Sequence, residues 1–291
     1  MKNVPKITPT NDLLFRKLMT SQDSGHILKA FVRDILGKEF KTLKPRETYH
    51  IDSYKKSLKK TKLLRTEVDV LAVAEDGTQV TIEMLVHPHY FFEERAVFYL
   101  SKVYASPYGD KKAKTYIKKN NYSALCPVYG INILGFDLFE VDDDAIQTFS
   151  LRNDKTYKPF LNKRKQRILT LCFFSLTNVN IEQSSAAYHW QRFFNTGEVS
   201  VEAPDYLKDA QRITDYHSME RDEQAMTMRV DKAQAIKDAE IAYAWEDGLE
   251  EGADRKTVEI ALNMLEKGLP LDVITDVTGL TVDQVSELKK V

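Results

Sequence analysis

Two short apolar segments separated by an Asp-Gly turn constrain the fold of this chain more than any other feature. Residues 67–74 and 79–86 each alternate along the chain, and Glu-Asp-Gly-Thr lies between them. An Asp-Gly pair between two alternating apolar runs is a strong signal for a β-hairpin. The sequence therefore predicts two antiparallel strands within the first hundred residues.

This hairpin carries two carboxylates among its apolar residues. A three-residue loop at 76–78 predicts the pairing of the strands. Leu71 then lies opposite Glu83, and Asp69 lies opposite Leu85. Because side chains two residues apart share a face, Asp69, Glu83 and Leu85 are predicted on one face, with apolar side chains on the other. A slip of one residue would move every side chain to the opposite face.

Carboxylates on adjacent strands allow two interpretations. In a central position they are costly to bury unless they are paired or bind a metal ion. Asp and Glu oxygens suit Mg²⁺, which also accepts waters and phosphate oxygens as ligands. Such an ion lowers the pKa of bound water and neutralises charge that builds on a phosphodiester. At a sheet edge the same carboxylates would face solvent, and the spacing alone leaves both interpretations open.

Apolar spacing also predicts the elements around the hairpin. Thr10 and Asn11 precede a helical pattern that predicts either one helix or two with a break near 21–25, and Gly37 stops it. A second helical pattern covers 91–105. The apolar stretches 123–138 and 170–175 are typical of buried central strands.

The character of the chain changes after about residue 200. Residues 205–255 form a long polar helical pattern without proline, which predicts a solvated helical connector. Three short helices follow at 257–267, 271–278 and 282–290, and three helices of this size can form a helix-turn-helix unit. The third offers only Lys289 and Lys290 against Asp283 and Glu287. A helical cap or a dimerisation element is therefore favoured over reading of DNA bases.

Composition restricts the class of protein. The chain has 291 residues, of which 43% are hydrophobic and 29% charged, with a net charge of −1. These values support a sizeable hydrophobic core. They exclude a chain that is disordered throughout and a protein whose whole surface is basic. Cys126 and Cys172 are too few for a metal cluster or a disulfide framework. No apolar run approaches the ~20 residues of a membrane span, so we expect a soluble cytoplasmic protein.

Four short motifs in a fixed order carry a resemblance to a known family. They are Asp12-Leu-Leu-Phe-Arg-Lys, Asp69-Val, Ile-Glu83-Met and Arg95-x-x-x-Tyr99. Their order, spacing and hydrophobic setting resemble the recombination-promoting nuclease/putative transposase family of the PD-(D/E)XK superfamily, over roughly residues 8–200. The Gly-Leu-Glu-Glu-Gly segment at 248–252 and the helices after it are similar to the family's C-terminal part.

The resemblance implies an α/β (α+β) fold in which helices flank a mixed central sheet, with a helical C-terminal extension. It divides the chain into a nuclease-like domain at 1–200, the connector at 201–256 and a small helical element at 257–291. It also implies an endonuclease that cleaves DNA with Mg²⁺ or Mn²⁺, in recombination or on mobile-element DNA. DNA is then the expected partner, and the C-terminal helices are candidates for forming a homo-oligomer.

The family's site residues match positions of this chain one by one. Asp69 and Glu83 match the acidic metal ligands, and the backbone carbonyl of Met84 would be a further ligand. Asp12 matches an acidic residue that completes the metal shell or stabilises the fold. Arg95 and its helical neighbour Tyr99 match a pair that contacts the scissile phosphate.

One position departs from the family pattern. The second residue after Glu83 is Lys or Gln in the family, a group that orients the attacking water and stabilises developing charge. Here it is Leu85, which can neither donate a hydrogen bond nor carry charge. The loss costs roughly 10²-fold or more in rate unless Arg95 or Lys102 replaces the group. The alternative is a catalytically inactive nuclease-fold protein that binds DNA or a protein partner.

Three basic stretches offer contacts to phosphates. The first covers 41–65, is interleaved with Tyr49 and Tyr54, and contains the predicted DNA-binding residues Lys55, Lys56, Lys59, Lys60, Lys62 and Arg65. The second covers 111–119 and the third 163–167. Lysine and arginine give sequence-independent affinity for DNA, whereas solvated lysine-rich loops are the alternative. The first two stretches flank the hairpin in sequence.

Overall fold

A computed structural model describes residues 7–54, 69–88 and 90–288 of the chain. It comprises two compact units, Met1–Asp231 and Lys232–Val291. The predicted DNA-binding residues of the first basic stretch lie outside the described residues, as do the two C-terminal lysines. They are Lys55, Lys56, Lys59, Lys60, Lys62, Arg65, Lys289 and Lys290.

The first unit is built on one mixed sheet. Its strands are β1 (Leu43–Pro45), β2 (Val70–Ala74), β3 (Gln79–Leu85), β4 (Val128–Leu134), β5 (Ile146–Ser150) and β6 (Leu169–Ser175). Their order across the sheet is β1-β2-β3-β4-β6-β5. Strands β3, β4 and β6 run parallel, while β1, β2 and β5 pair antiparallel with their neighbours.

Five helices whose bounds both lie within the described residues accompany this sheet, and a longer helix follows them. The five are α1 (Asp12–Thr20), α2 (Gly25–Leu36), α3 (Phe92–Ala105), α4 (Ala186–Thr196) and α5 (Asp205–Thr214). Helix α6 (Arg221–Glu266) comes next, before α7 (Leu271–Thr278) and α8 (Val282–Leu288). A mixed sheet flanked by helices, with C-terminal helices, confirms the predicted fold class.

The first two helices begin and end where the sequence predicted. The Asn11 side chain accepts hydrogen bonds from the backbone N–H groups of Leu13 and Leu14, which caps α1. A short 3₁₀ turn, Gln22–Ser24, separates α1 from α2. Gly37 ends α2 in the left-handed conformation, with φ of 61°.

One face of the sheet forms the main core. Alternate residues of the central strands β2, β3, β4 and β6 lie on this face. They are Val70, Ala72, Val80, Ile82, Tyr129, Ile131, Ile133, Cys172 and Phe174. They pack in one cluster with apolar side chains of α1, α2, α4 and α5. Trp190 is fully buried there, and its indole N–H donates to Asp34 Oδ2 at 2.9 Å. The fully apolar face that the sequence predicted for the hairpin is therefore the one that α1 and α2 cover.

The opposite face has a different composition. Among the described residues, α3 is the helix that packs on it, through a small apolar cluster of Leu85, Phe92, Ala96, Leu134 and Phe173. Buried polar side chains, including those of Glu83 and Asn132, also lie on this face. Buried polar groups, one of them a carboxylate, therefore lie on the face that α3 covers.

The hairpin register differs from the predicted one by two residues. Val70 pairs with Ile82 and Leu71 with Thr81, so the predicted pairing of Leu71 with Glu83 was wrong. The three-residue loop occupies 75–77, because Gly77 takes φ of 88° there, and the backbone N–H of Thr78 donates to Asp76. A shift of two residues keeps each side chain on its face, so the facial assignment of the carboxylates survives.

The helical pattern after residue 200 is also broken differently from the prediction. Helix α5 ends at Thr214, a 3₁₀ turn covers Tyr216–Ser218, and α6 then runs without interruption to Glu266. The predicted first short C-terminal helix is therefore the end of α6. The start of α6 is not solvated, because Thr227 is fully buried and the side chains of Met226 and Val230 pack with α1.

The C-terminal unit has a small core of its own. Ala261, Ile274 and Val285 are fully buried in it. Gly268 and Gly279 both adopt the left-handed conformation at helix ends. A capping box precedes α8, since Gln284 Oε1 accepts from the backbone N–H of Thr281 and Thr281 Oγ1 accepts from that of Gln284. No helix within the described ranges is both long and apolar enough to cross a membrane.

Replacing Gly77 with alanine tests the loop that sets the hairpin register. The positive φ is strained for alanine, and its Cβ would lie 2.7 Å from Cys126 Sγ. We expect Gly77→Ala to lower the free energy of unfolding by about 1–3 kcal/mol in urea denaturation. Gly25→Ala is the control, because a Cβ there meets nothing within 4 Å and α2 already has helical geometry. Equal stability of the two variants would contradict the loop conformation.

Candidate active site

Asp69 and Glu83 come together across the first two central strands. Val70 pairs with Ile82, and continuing this register by one residue sets Asp69 against Glu83. The Asp69 side chain is 24% exposed and that of Glu83 only 6%. The pair therefore lies on the face covered by α3, largely removed from water and not at a solvated sheet edge.

Arg16 links Asp69 to the first helix. Its Nη2 lies 3.2 Å from Asp69 Oδ1, and its Nε lies 3.2 Å from Asp12 Oδ1. Asp12 also accepts a hydrogen bond of 2.6 Å from the hydroxyl of Tyr54. The other oxygen of Asp69 accepts from the backbone N–H of Met84 at 3.1 Å. Asp12 thus reaches the acidic pair through Arg16. Arg16 belongs to the first sequence motif, but the sequence analysis predicted no role for it.

Arg95 and Tyr99 approach the pair from α3. Arg95 Nη2 lies 3.3 Å from Glu83 Oε2, and the guanidinium carbon lies 5.3 Å from the centroid of the Tyr99 ring. Arg95 Nε is buried and has no hydrogen-bond acceptor among the described residues. The helical spacing of four residues therefore places the Tyr99 ring against the guanidinium that contacts Glu83.

The electrostatics of the pair favour an additional cation. Burial raises the pKa of Glu83 to about 7, with a further contribution from the charge of Asp69 and an opposing one from Arg95. The pKa of Asp69 is also raised, first by burial and then by Asp12, although Arg16 and the Met84 N–H oppose this. The two arginines thus neutralise only part of the buried negative charge.

Leu85 lies at the end of β3, in the small apolar cluster under α3. It is 8% exposed, and its neighbours include Phe92, Ala96 and Phe173. The position that holds a polar group in the family is thus filled by hydrocarbon. Any polar group that acts on water at this site must therefore come from another position.

Asn132 is a polar residue of this site that the sequence analysis missed. It pairs with Glu83 across β3 and β4 and is 4% exposed. Its Nδ2 donates to the backbone carbonyl of Cys172 at 3.3 Å, so its amide is held in the sheet beside Glu83. The available signal was a single amide side chain in the otherwise apolar run Val128–Leu134.

The oxygen donors of the site fit a hard divalent cation. Within the ranges that the structure describes, no group of three or more His, Cys, Asp or Glu side chains forms a metal site. Mg²⁺, however, is commonly held by one or two carboxylates, with waters and substrate phosphates as its other ligands. Asp69, Glu83 and the Met84 carbonyl are all oxygen donors and match this requirement.

Several predicted contacts lie elsewhere. The hydroxyl of Tyr49 donates to Glu223 at 3.0 Å, and Tyr54 is buried against Asp12, so neither aromatic side chain faces outward from the first basic stretch. The second and third basic stretches lie at the end of the sheet remote from Glu83.

The raised pKa of Glu83 predicts a pH-dependent stability. Because the folded-state pKa of about 7 exceeds the ordinary 4.5, ionisation opposes folding, and stability is lost as pH rises between these values. In EDTA, Glu83→Gln should raise the free energy of unfolding at pH 8 by at most about 3 kcal/mol, and by under about 1 kcal/mol at pH 5. Mg²⁺ should raise the melting temperature of the wild type but not that of the variant.

The matched control for this experiment is Glu94→Gln, since Glu94 is an exposed carboxylate on α3. It should change stability little at either pH. The prediction would be contradicted if the free energy of unfolding of the wild type rose between pH 5 and pH 8 relative to that of Glu83→Gln. Ionisation of Glu83 would then not oppose folding.

Comparison with known families agrees with this geometry. Residues 9–245 match the model of the PD-(D/E)XK nuclease family transposases. Residues 254–290 match the C-terminal HTH domain of the Rpn/YhgA-like nuclease family. No curated protein and no solved structure gives a significant match. The first match covers most of the chain and includes every residue of the acidic site, and the resemblance seen in the motifs is thereby confirmed: the chain belongs to the PD-(D/E)XK nuclease family transposases, with an Rpn-type C-terminal HTH domain.

Proposed function

We propose that this chain is a DNA endonuclease that depends on Mg²⁺ or Mn²⁺ held by Asp69, Glu83 and the backbone carbonyl of Met84. The observation that carries this proposal is the pair of buried carboxylates across β2 and β3, whose pKa values are raised first by burial and then by a neighbouring carboxylate. Membership of a nuclease family supports hydrolysis of a phosphodiester as the reaction class.

The surrounding side chains have separate roles in this proposal. The bound metal ion would activate water and neutralise charge on the phosphodiester. Arg16 and the Met84 N–H fix the two oxygens of Asp69, so this carboxylate is held in one orientation. Asp12 in turn orients Arg16 through its Nε. Such preorganisation lowers the cost of assembling the site when substrate arrives.

Arg95 is the group that we propose acts in place of the missing lysine or glutamine. Its guanidinium lies beside Glu83, carries several N–H donors, and is 36% exposed. A guanidinium at this position is able to donate to a phosphate oxygen while it remains close to the acidic pair. Tyr99 lies against the same guanidinium and limits its rotation.

One observation favours a second candidate function. Leu85 is enclosed by apolar side chains, so the hydrolytic group of the family is absent at its usual position. If Arg95 does not replace this group, the chain keeps its acidic pair and its basic stretches but does not hydrolyse DNA. It is then a nuclease-fold protein that binds DNA or a protein partner.

Cleavage of supercoiled plasmid with Mg²⁺ or Mn²⁺ separates the two candidates. We expect slow nicking by the wild type and none by Glu83→Gln. Arg95→Ala should lower the rate by roughly 10²-fold, the usual loss for a transition-state donor. Leu85→Lys should raise it, provided that its melting temperature shows an intact fold. Glu94→Gln is the control and should cleave as the wild type does.

The pattern of results decides between the two functions. Silence from the wild type with activity in Leu85→Lys would establish the inactive alternative, because one substitution would then restore the reaction. Silence from every variant, including Leu85→Lys, would contradict the endonuclease proposal. Nicking that persists in Glu83→Gln would show that the acidic pair does not hold the required metal.

We further propose that the C-terminal helices associate copies of the chain and do not read DNA bases. Helix α8 contains Asp283 and Glu287, and the only lysines near it are Lys289 and Lys290, which follow its last residue in the sequence. Apolar side chains such as Val277 and Val282 are more than half exposed. In the full chain, Val277→Lys with Val282→Lys should lower the subunit number measured by light scattering. An unchanged mass would remove the support for association through this unit.

A further inference from the structure

Two basic segments, distant in sequence, meet at one end of the sheet. Residues 106–125 lead into β4, and residues 151–168 lead into β6. The first residues of the three parallel strands lie at one level, because Gln79 pairs with Val128 and Val128 with Leu169. We call residues 106–125 and 151–168 together the sheet-end surface.

Both segments contact the same turn. Lys114 Nζ donates to the backbone carbonyl of Glu75 at 3.1 Å, and Gln166 Nε2 donates to Asp76 Oδ2 at 3.2 Å. Glu75 and Asp76 belong to the loop between β2 and β3. The two segments therefore flank one hairpin turn and form neighbouring parts of one surface.

This surface concentrates positive charge in a chain whose net charge is −1. Its first segment contains five lysines and one acidic residue, and its second contains seven lysines and arginines and one acidic residue. All of these basic side chains are exposed, and none forms an ion pair with a carboxylate in the part of the chain that the structure describes. Twelve exposed cations on one surface, none of them ion-paired with a carboxylate among the described residues, attract a polyanion strongly.

Exposed aromatic rings lie among these cations. Tyr122 is 71% exposed, Tyr157 65% and Phe160 59%. The ring of Tyr108 lies 5.1 Å from that of Tyr122, and the guanidinium of Arg152 lies 4.9 Å from the ring of Tyr157. Aromatic rings beside a cationic path are the arrangement on which unpaired bases stack.

Hydrogen bonds within the second segment hold its shape. Asn162 Oδ1 accepts from the backbone N–H groups of Arg164 and Gln166, and Leu161 bridges to Arg167. Asn153 Oδ1 caps the preceding turn in the same way. The cations and rings are therefore presented on an ordered backbone, which lowers the entropic cost of binding.

From these observations we propose that the sheet-end surface binds single-stranded DNA. The choice of DNA as the polyanion rests on the proposed nuclease function, whereas the preference for a single strand rests on the exposed rings. Glu83 is four residues along β3 from Gln79, or about 13 Å at the usual rise per residue. The surface is thus separate from the acidic pair, and binding there requires no metal.

The test is fluorescence anisotropy of the full chain in EDTA with labelled oligothymidine longer than about 16 nucleotides, the upper range for one small binding fold. The charge variant is Lys163→Gln/Arg164→Gln/Arg167→Gln. Its salt slope, log K against log salt concentration, should fall by about 2, since each lost contact to a single strand contributes about 0.7. The ring variant Tyr157→Ala/Phe160→Ala should weaken binding about tenfold or more with little change in slope.

A charge-matched control removes three exposed cations elsewhere, in Arg192→Gln/Lys208→Gln/Arg212→Gln, and should bind as the wild type does. A charge variant that equals this control would overturn the proposal. So would a ring variant with wild-type affinity, or tighter binding of duplex DNA or of phosphatidylserine vesicles than of oligothymidine. Asp69→Asn/Glu83→Gln should bind normally. A wild type that binds oligothymidine but never cleaves DNA would refute the nuclease proposal and leave this one intact.

Discussion

The burial of two carboxyl groups against each other is the constraint on which the rest of this structure depends. Asp69 and Glu83 face one another across β2 and β3, and neither is well hydrated. Two partly buried carboxylates at facing positions of adjacent strands oppose folding unless cations reach them. Arg16 arrives from α1 and Arg95 from α3. The positions of both helices relative to the sheet are therefore tied to the charge of the site.

The same constraint explains why the two faces of the sheet differ. The face under α1, α2, α4 and α5 is closed by a continuous apolar core that includes Phe31, Trp190 and Phe194. The other face has a small apolar cluster and, beside it, the charged pair. Stability is supplied mostly by the first face, so the second is able to hold groups whose ionisation costs folding energy. A site whose residues are held on rigid strands is also positioned more precisely than a site on loops.

Periodicity and local signals were sufficient for the elements and the faces, but not for pairing or long-range contacts. The Asn11 cap, the Gly37 stop and the alternation along β3 are local, and each was predicted. Alternation cannot distinguish registers that differ by two residues, so the Leu71–Glu83 pairing was wrong while the shared face was right. The bridge from Arg16 to Asp69 spans 53 positions and has no local signature. The resemblance identified the acidic residues, whereas Asn132 emerged only from strand pairing.

Leu85 changes the electrostatics of the site as well as its catalytic groups. A lysine two residues after Glu83 would lie on the same face and offset the charge of the carboxylates. With leucine there, Arg95 is the cation in contact with Glu83 among the described residues. Burial and the charge of Asp69 together raise the pKa of Glu83 to about 7, against the opposing effect of Arg95. Near neutral pH this carboxyl is then about half protonated, so binding of a metal ion must displace a proton. Metal affinity in this chain should therefore increase with pH through the neutral range, whether or not the site turns over.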